Sequence, residues 1–157
     1  LQGRNSTETL WAELEKGWIS RPIYHEDKPD RLYSLFFARQ EPIDYLKPYP
    51  KVLIVDCTYN TNSAEMPLFE VIGIEATSKS LCVSFDFLSG ETEEDYIWAL
   101  EHGKKMLGDT LPGVILSDKA YSNRDAIGVV FPESKNLLCI WHTNDLLTRS
   151  ANRTLKQ

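Results

Sequence analysis

Val52-Leu53-Ile54-Val55 is an apolar run with no polar alternation, and it ends abruptly on Asp56. A strand that alternates can leave one face in water. A run like this reads as a strand covered on both faces, which calls for helices layered on a sheet. The carboxylate at its end then lies close to the core, where an unpaired charge is costly. Either Asp56 finds donors in the polar loop from Cys57 to Asn62, or a cation comes to it. Val114-Ile115-Leu116-Ser117-Asp118 repeats the theme, an apolar strand closing on a carboxylate.

The rest of the chain supplies elements that fit such a layered fold. Leu10, Trp11, Leu14 and Trp18 form one helical stripe behind a possible Ser6 or Thr7 cap, with Gly17 near its end. Two strand-like segments, Trp18 to Asp27 and Arg31 to Gln40, flank the polar turn Glu26 to Asp30 and predict a hairpin whose first strand, carrying Pro22, is an edge. The Pro-rich stretch from Glu41 to Pro50 reads as a connector with at most one helical turn. Three strands follow, at Val52–Asp56, Leu68–Ala76 and Leu81–Leu88, and their short connections predict an antiparallel unit. A helix capped by Thr92 comes next, then the strand ending on Asp118, a short helix capped by Ser122 and stopped by Pro132, the apolar strand Asn136 to His142, and a helix running to the C-terminus. The aromatic pairs Trp11 with Trp18 and Phe36 with Phe37, and Trp98, read as packing.

If the strands ending on Asp56 and Asp118 lie parallel and adjacent, both carboxylates meet at the C-terminal edge of the sheet, where open α/β sheets place their sites. Two carboxylates held close repel unless a cation lies between them. Mg²⁺ or Mn²⁺ would suit such hard oxygen donors and could support two-metal phosphoryl chemistry. The competing reading is that each Asp merely begins a turn or caps the next element. Cys139 and His142 stand three residues apart at a strand end, but a structural zinc site needs a second pair that the chain lacks. The isolated glycines form no phosphate-cradling loop.

Composition narrows the partners. The net charge is −6 and the longest basic run is Lys104-Lys105, so this segment is expected to bind DNA weakly by itself. No apolar stretch approaches the roughly 20 residues that cross a bilayer. The odd number of cysteines, Cys57, Cys82 and Cys139, all in or at the end of apolar runs, predicts free thiols in a reducing compartment. Asn5-Ser6-Thr7 and Asn152-Arg153-Thr154 match the glycosylation acceptor pattern, which often arises by chance, and a removed leader would leave secretion open.

Taken together, "VLIVDCTYNTNSAEMPLFEVIGI", "FLSGETEEDYIWAL", "PGVILSDKAYSNRDAIGVVFPES" and "NLLCIWH" resemble the transposase domain of Mutator-like elements, including its relatives in the plant far-red-impaired-response transcription factors. The resemblance runs in order from about Lys51 to Asn144, and "LYSLFFA" resembles the segment that precedes this domain. It implies an RNase H-like α/β fold: a mixed sheet of three antiparallel strands followed by parallel ones, flanked by helices and preceded by an N-terminal helix and β-hairpin. The corresponding division is an extension over residues 1–50 and a core over 51–157. The resemblance further implies a DDE-type site in which Asp56 and Asp118 are the first two acids and ligands of Mg²⁺ or Mn²⁺. Thr58, Tyr59, Thr61 and Asn62 match the family's "TY.TN" loop, and Cys139 and His142 its Cys-x-x-His signature. Of these, Thr58, Asn62, Cys139 and His142 are candidates for ordering the site or contacting DNA.

The family's third carboxylate lies well beyond the Cys-x-x-His pair, whereas no acid follows Asp145 here. The expectation is therefore a catalytic-core fragment whose ancestral chemistry is DNA cleavage and strand transfer, inactive as this chain. The alternative is a domesticated, non-catalytic binding module that engages DNA regulation or a protein partner. Either implies a nuclear protein. Asp86, inside the strand "CVSFDFL", departs from the family's small or apolar residue and predicts either an edge position or a new ligand.

Overall fold

The computed structural model describes residues 6–48, 52–118 and 120–140. The elements run α1 (Ser6–Leu14), β1 (Ile19–His25), β2 (Lys28–Ala38), α2 (Gln40–Leu46), β3 (Val52–Thr58), β4 (Leu68–Ile74), β5 (Ser80–Phe87), α3 (Glu93–Leu107), β6 (Val114–Ser117), α4 (Tyr121–Val130) and β7 (Lys135–Leu138). All the strands join one 7-stranded sheet in the order β1-β2-β5-β4-β3-β6-β7. β1 through β5 pair antiparallel, while β6 pairs parallel with both β3 and β7. This is the mixed α/β sheet expected of an RNase H-like fold. β1 is indeed an edge strand, where Pro22 has no ladder bond to lose.

β2 shows how the two faces are filled. Phe36 and Ala38 join a core with α2, α3 and α4, whereas Leu35 and Phe37 pack with Leu14 of α1, Trp18, Phe85 and Phe87. Successive strand residues point to opposite faces, so α1 covers one side of the sheet and α2–α4 the other. β2 pairs with β5, so the sheet continues without a break from the N-terminal hairpin into the strands that follow residue 51.

β3 departs from the run's apparent symmetry. Leu53 and Val55 are buried against the α3 side, while Val52, Ile54 and Asp56 on the opposite face are half-buried. The predicted C-terminal helix and His142 lie outside the described residues.

Local differences from the sequence reading have local causes. The stretch after Arg39 forms a two-turn helix rather than a connector, because Pro42 falls in the first turn, where no N–H is needed, and Ile43 and Leu46 are fully buried. α4 begins at Tyr121, so Ser122 is not its cap: the cap position is Ala120, which has no side-chain cap, and its N–H is taken instead by Asp118 Oδ1 at 3.1 Å. α3 keeps its predicted cap, with Thr92 and Asp95 bonding reciprocally as a capping box. Asp86 is no edge residue, since β5 lies between β2 and β4, and it shares the α3 face with its neighbours Phe36 and Phe69. That places it on the opposite side of the sheet from Asp56. All three cysteines are free thiols.

Candidate functional site

The parallel register aligns the sequence candidates. Ile54 of β3 pairs with Leu116 of β6, and Leu116 with Leu137 of β7. Two residues farther along these chains stand Asp56, Asp118 and Cys139, in one row at the C-terminal edge. Cys139 donates its N–H to Ser117 O at 2.8 Å, which holds the third position of the row against the second.

Each candidate has a distinct local role. Thr58 Oγ1 donates to Asp56 Oδ2 at 3.4 Å, two residues along the same strand and on the same face. Asn62 turns inward to its own loop: Oδ1 accepts from the N–H groups of Ala64 and Met66, and Nδ2 donates to Met66 O at 2.6 Å. It therefore orders the loop beside Asp56, a loop that also bends through positive φ at Asn60 and Glu65. Asp118 Oδ1 accepts from Ala120 N and from Asn123 Nδ2 at 3.3 Å, so the turn-forming reading of this Asp is correct for one oxygen. No hydrogen bond reaches Oδ2 among the described residues.

Two residues not chosen as site candidates from the sequence belong to this neighbourhood. Glu70 stands directly across from Asp56 in the β3–β4 register, on the same face. Burial and the charge of Asp56 both push its carboxyl above the ordinary range. Asn123 is fully buried and donates to Asp118. Neither was legible, because a cross-strand partner depends on register and a helix partner on where the helix starts. On the α3 face, burial pushes the Cys57 thiol up to about 12, with Tyr96 beside it. Tyr96 in turn donates to Glu91 Oε1 at 3.0 Å. Cys57 is thus a protonated packing group at neutral pH and unsuited to act as a nucleophile.

The donor chemistry fits a hard divalent cation. Asp56 within β3 and Asp118 just past β6 would offer carboxylate oxygens from neighbouring strands, and Glu70 adds a third negative group whose repulsion a cation would relieve. Among the described residues, no three His, Cys, Asp or Glu side chains converge on a single metal position.

A cavity of about 1010 Å³ opens at the same edge. β2 meets β5 only over Leu35–Phe37, with Leu35 level with Phe87, so the hairpin overhangs the sheet end that carries Asp56. Trp11, Tyr24, Tyr33, Arg31 and Asp30 line the cavity on the hairpin side, and the Asn62–Met66 loop closes it toward β3. No helix among the described residues is long and apolar enough to cross a membrane.

Parts of known proteins are similar to this chain in sequence. A stretch of 126 residues is 29% identical to part of the PKS-NRPS hybrid synthetase cheA of Chaetomium globosum, covering 78% of this chain and 3% of that protein. The Arabidopsis thaliana protein FAR1-RELATED SEQUENCE 4 is 24% identical over 119 residues, 76% of this chain and 16% of the relative. FAR1-RELATED SEQUENCE 6 is 31% identical over 91 residues, 58% of this chain and 13% of the relative. The chain thus spans only a small part of each relative's length. The family model described as the MULE transposase domain matches residues 52–145, from the first residue of β3 past the Cys139–His142 pair. By that match over more than half its length, the chain belongs to the MULE transposase domain family.

Proposed function

We infer that this chain carries a DDE-type transposase catalytic core whose ancestral chemistry is metal-dependent cleavage of DNA phosphodiesters and strand transfer. The observation that supports this most directly is that the strands carrying Asp56 and leading to Asp118, β3 and β6, lie adjacent and parallel. In this reading both residues hold Mg²⁺ or Mn²⁺, and a bound ion would activate a water or hydroxyl and stabilise the leaving oxygen. The chain's own residues prepare the site. Thr58 steadies Asp56, Asn62 fixes the adjoining loop, and Cys139 stays docked on the Asp118 strand. His142 orders the site or contacts DNA, and the protein works in the nucleus.

The second reading is a domesticated binding module. The net charge of −6 supports it, as does the edge cavity, which Asp30, Arg31 and Glu65 line together with aromatic side chains. Such mixed polarity suits a protein segment better than a phosphate backbone. One experiment separates the two: calorimetric titration of Mn²⁺ at low salt into the protein and into Asp56→Asn. Binding that disappears in the variant supports the metal site. Absence of binding to either protein rejects it and leaves the binding module.

A further inference from the structure

Asn123 occupies a position that packing alone would give to an apolar residue. On α4 it stands three, four and seven residues before Ala126, Ile127 and Val130, all buried in the main core, and it is itself 0% exposed. Its amide is only half satisfied. Nδ2 donates to Asp118 Oδ1 at 3.3 Å, whereas Oδ1 is buried with no hydrogen-bond partner among the described residues. The amide orientation follows from chemistry, since a carboxylate accepts and only the nitrogen side of the amide can donate to it. A buried carbonyl without a partner destabilises the fold, and a leucine here would avoid that loss. The bond to Asp118 is thus what the asparagine provides in return.

We propose that Asn123 is a positioning residue that fixes the Asp118 carboxylate with Oδ2 turned to the sheet edge. Two donors, Ala120 N–H and Asn123 Nδ2, converge on Oδ1 from the start of α4. Ala120 is next but one to Asp118 in the chain and moves with its turn. Asn123 reaches back from a helix anchored in the core, so it supplies the rigid reference. The consequence for metal binding rests on the reading of Asp118 as a divalent-cation ligand, and groups that orient ligands in this way commonly contribute tenfold or more to metal affinity.

The test compares wild type with Asn123→Leu, which fills the space and removes both amide groups. Asn123→Ala serves as a second variant if the leucine does not fold. Three properties are measured: the thermal midpoint, the Asp118 χ1 populations from NMR couplings without metal, and Mn²⁺ affinity from electron paramagnetic resonance, with Asp118→Asn as the site control. The expected result is an Asn123→Leu protein that melts at or above wild type, averages its Asp118 rotamers and binds Mn²⁺ about tenfold more weakly. Unchanged Asp118 rotamers in the variant overturn the proposal, whatever happens to stability. If wild type and Asp118→Asn bind Mn²⁺ alike, the metal reading fails alone, and the rotamer populations still decide the role of Asn123.

Discussion

Asp86 shows how much a single buried group can set. Its carboxyl is fully buried between Phe36 and Phe69 in the pairing register, with Ser84 Oγ donating to Oδ2 at 3.2 Å and Oδ1 unpartnered among the described residues. Burial pushes its pKa well above the ordinary 3.8. The folded state therefore holds a proton that the unfolded chain releases near 3.8. Its contribution to stability is complete below that pH and falls as pH rises toward the folded pKa. Asp86→Asn removes this dependence. The variant should match wild type in urea denaturation near pH 3 and exceed it by about 2 kcal/mol at pH 7. A constant difference between the two across that range would show that Asp86 does not carry the linkage. The sequence exposed Asp86 as a charge in an apolar strand but not its location, because an edge and an interior strand look alike until pairing is known. The parallel adjacency of β3 and β6 was legible for the opposite reason, because each apolar run closes on an aspartate and the two runs do pair side by side.

At the scale of elements, close packing and capping do the specifying. α2 lies so near β4 that a Cβ on Gly73 would fall 2.2 Å from Leu46 Cδ1 and 2.6 Å from Cδ2. Leu46 is fully buried and has no solvent to move into. Gly73→Ala should therefore destabilise by roughly 2 kcal/mol, and Leu46→Ala in the same protein should recover part of that loss. Additive losses in the double variant would mean that the two side chains do not compete for the space. α2 was hard to read from sequence, since the three prolines of Glu41 to Pro50 signalled a connector while its helical character rests on Ile43 and Leu46 finding a tertiary pocket. α3 is the contrary case. Its start is written locally in the Thr92–Asp95 capping box, and Thr92→Ala should lower stability by about 1 kcal/mol in chemical denaturation. A loss near zero would show that Ser89, which also donates to Asp95, is enough to hold the helix start.

At the scale of the whole molecule, the sheet has unequal ends. β3 and β4 are interior strands, each bonded on both sides, and their Leu53, Val55, Phe69 and Val71 sit at the centre of the larger core. The hairpin from Ile23 to Ser34 is different: beyond Leu35 it has only itself to pair with, its outer strand follows Pro22, and Ile23, Tyr24 and Tyr33 are exposed. Seven residues of β2 at about 3.3 Å each project roughly 20 Å past the end of β5. A two-stranded ribbon in water is marginally stable, so it should open without the rest of the sheet. In native-state hydrogen exchange, amides of Leu32 and Tyr24 should exchange at least about a hundredfold faster than those of Leu53 and Val55, which should follow global unfolding. Equal protection would show that the overhang is held as firmly as the central strands. The difference matters for the edge cavity, because the overhang forms one of its walls. A ligand that fills the cavity must then order the ribbon against the Asn62–Met66 loop, and it should slow exchange at Leu32 and Tyr24 while leaving Leu53 unchanged.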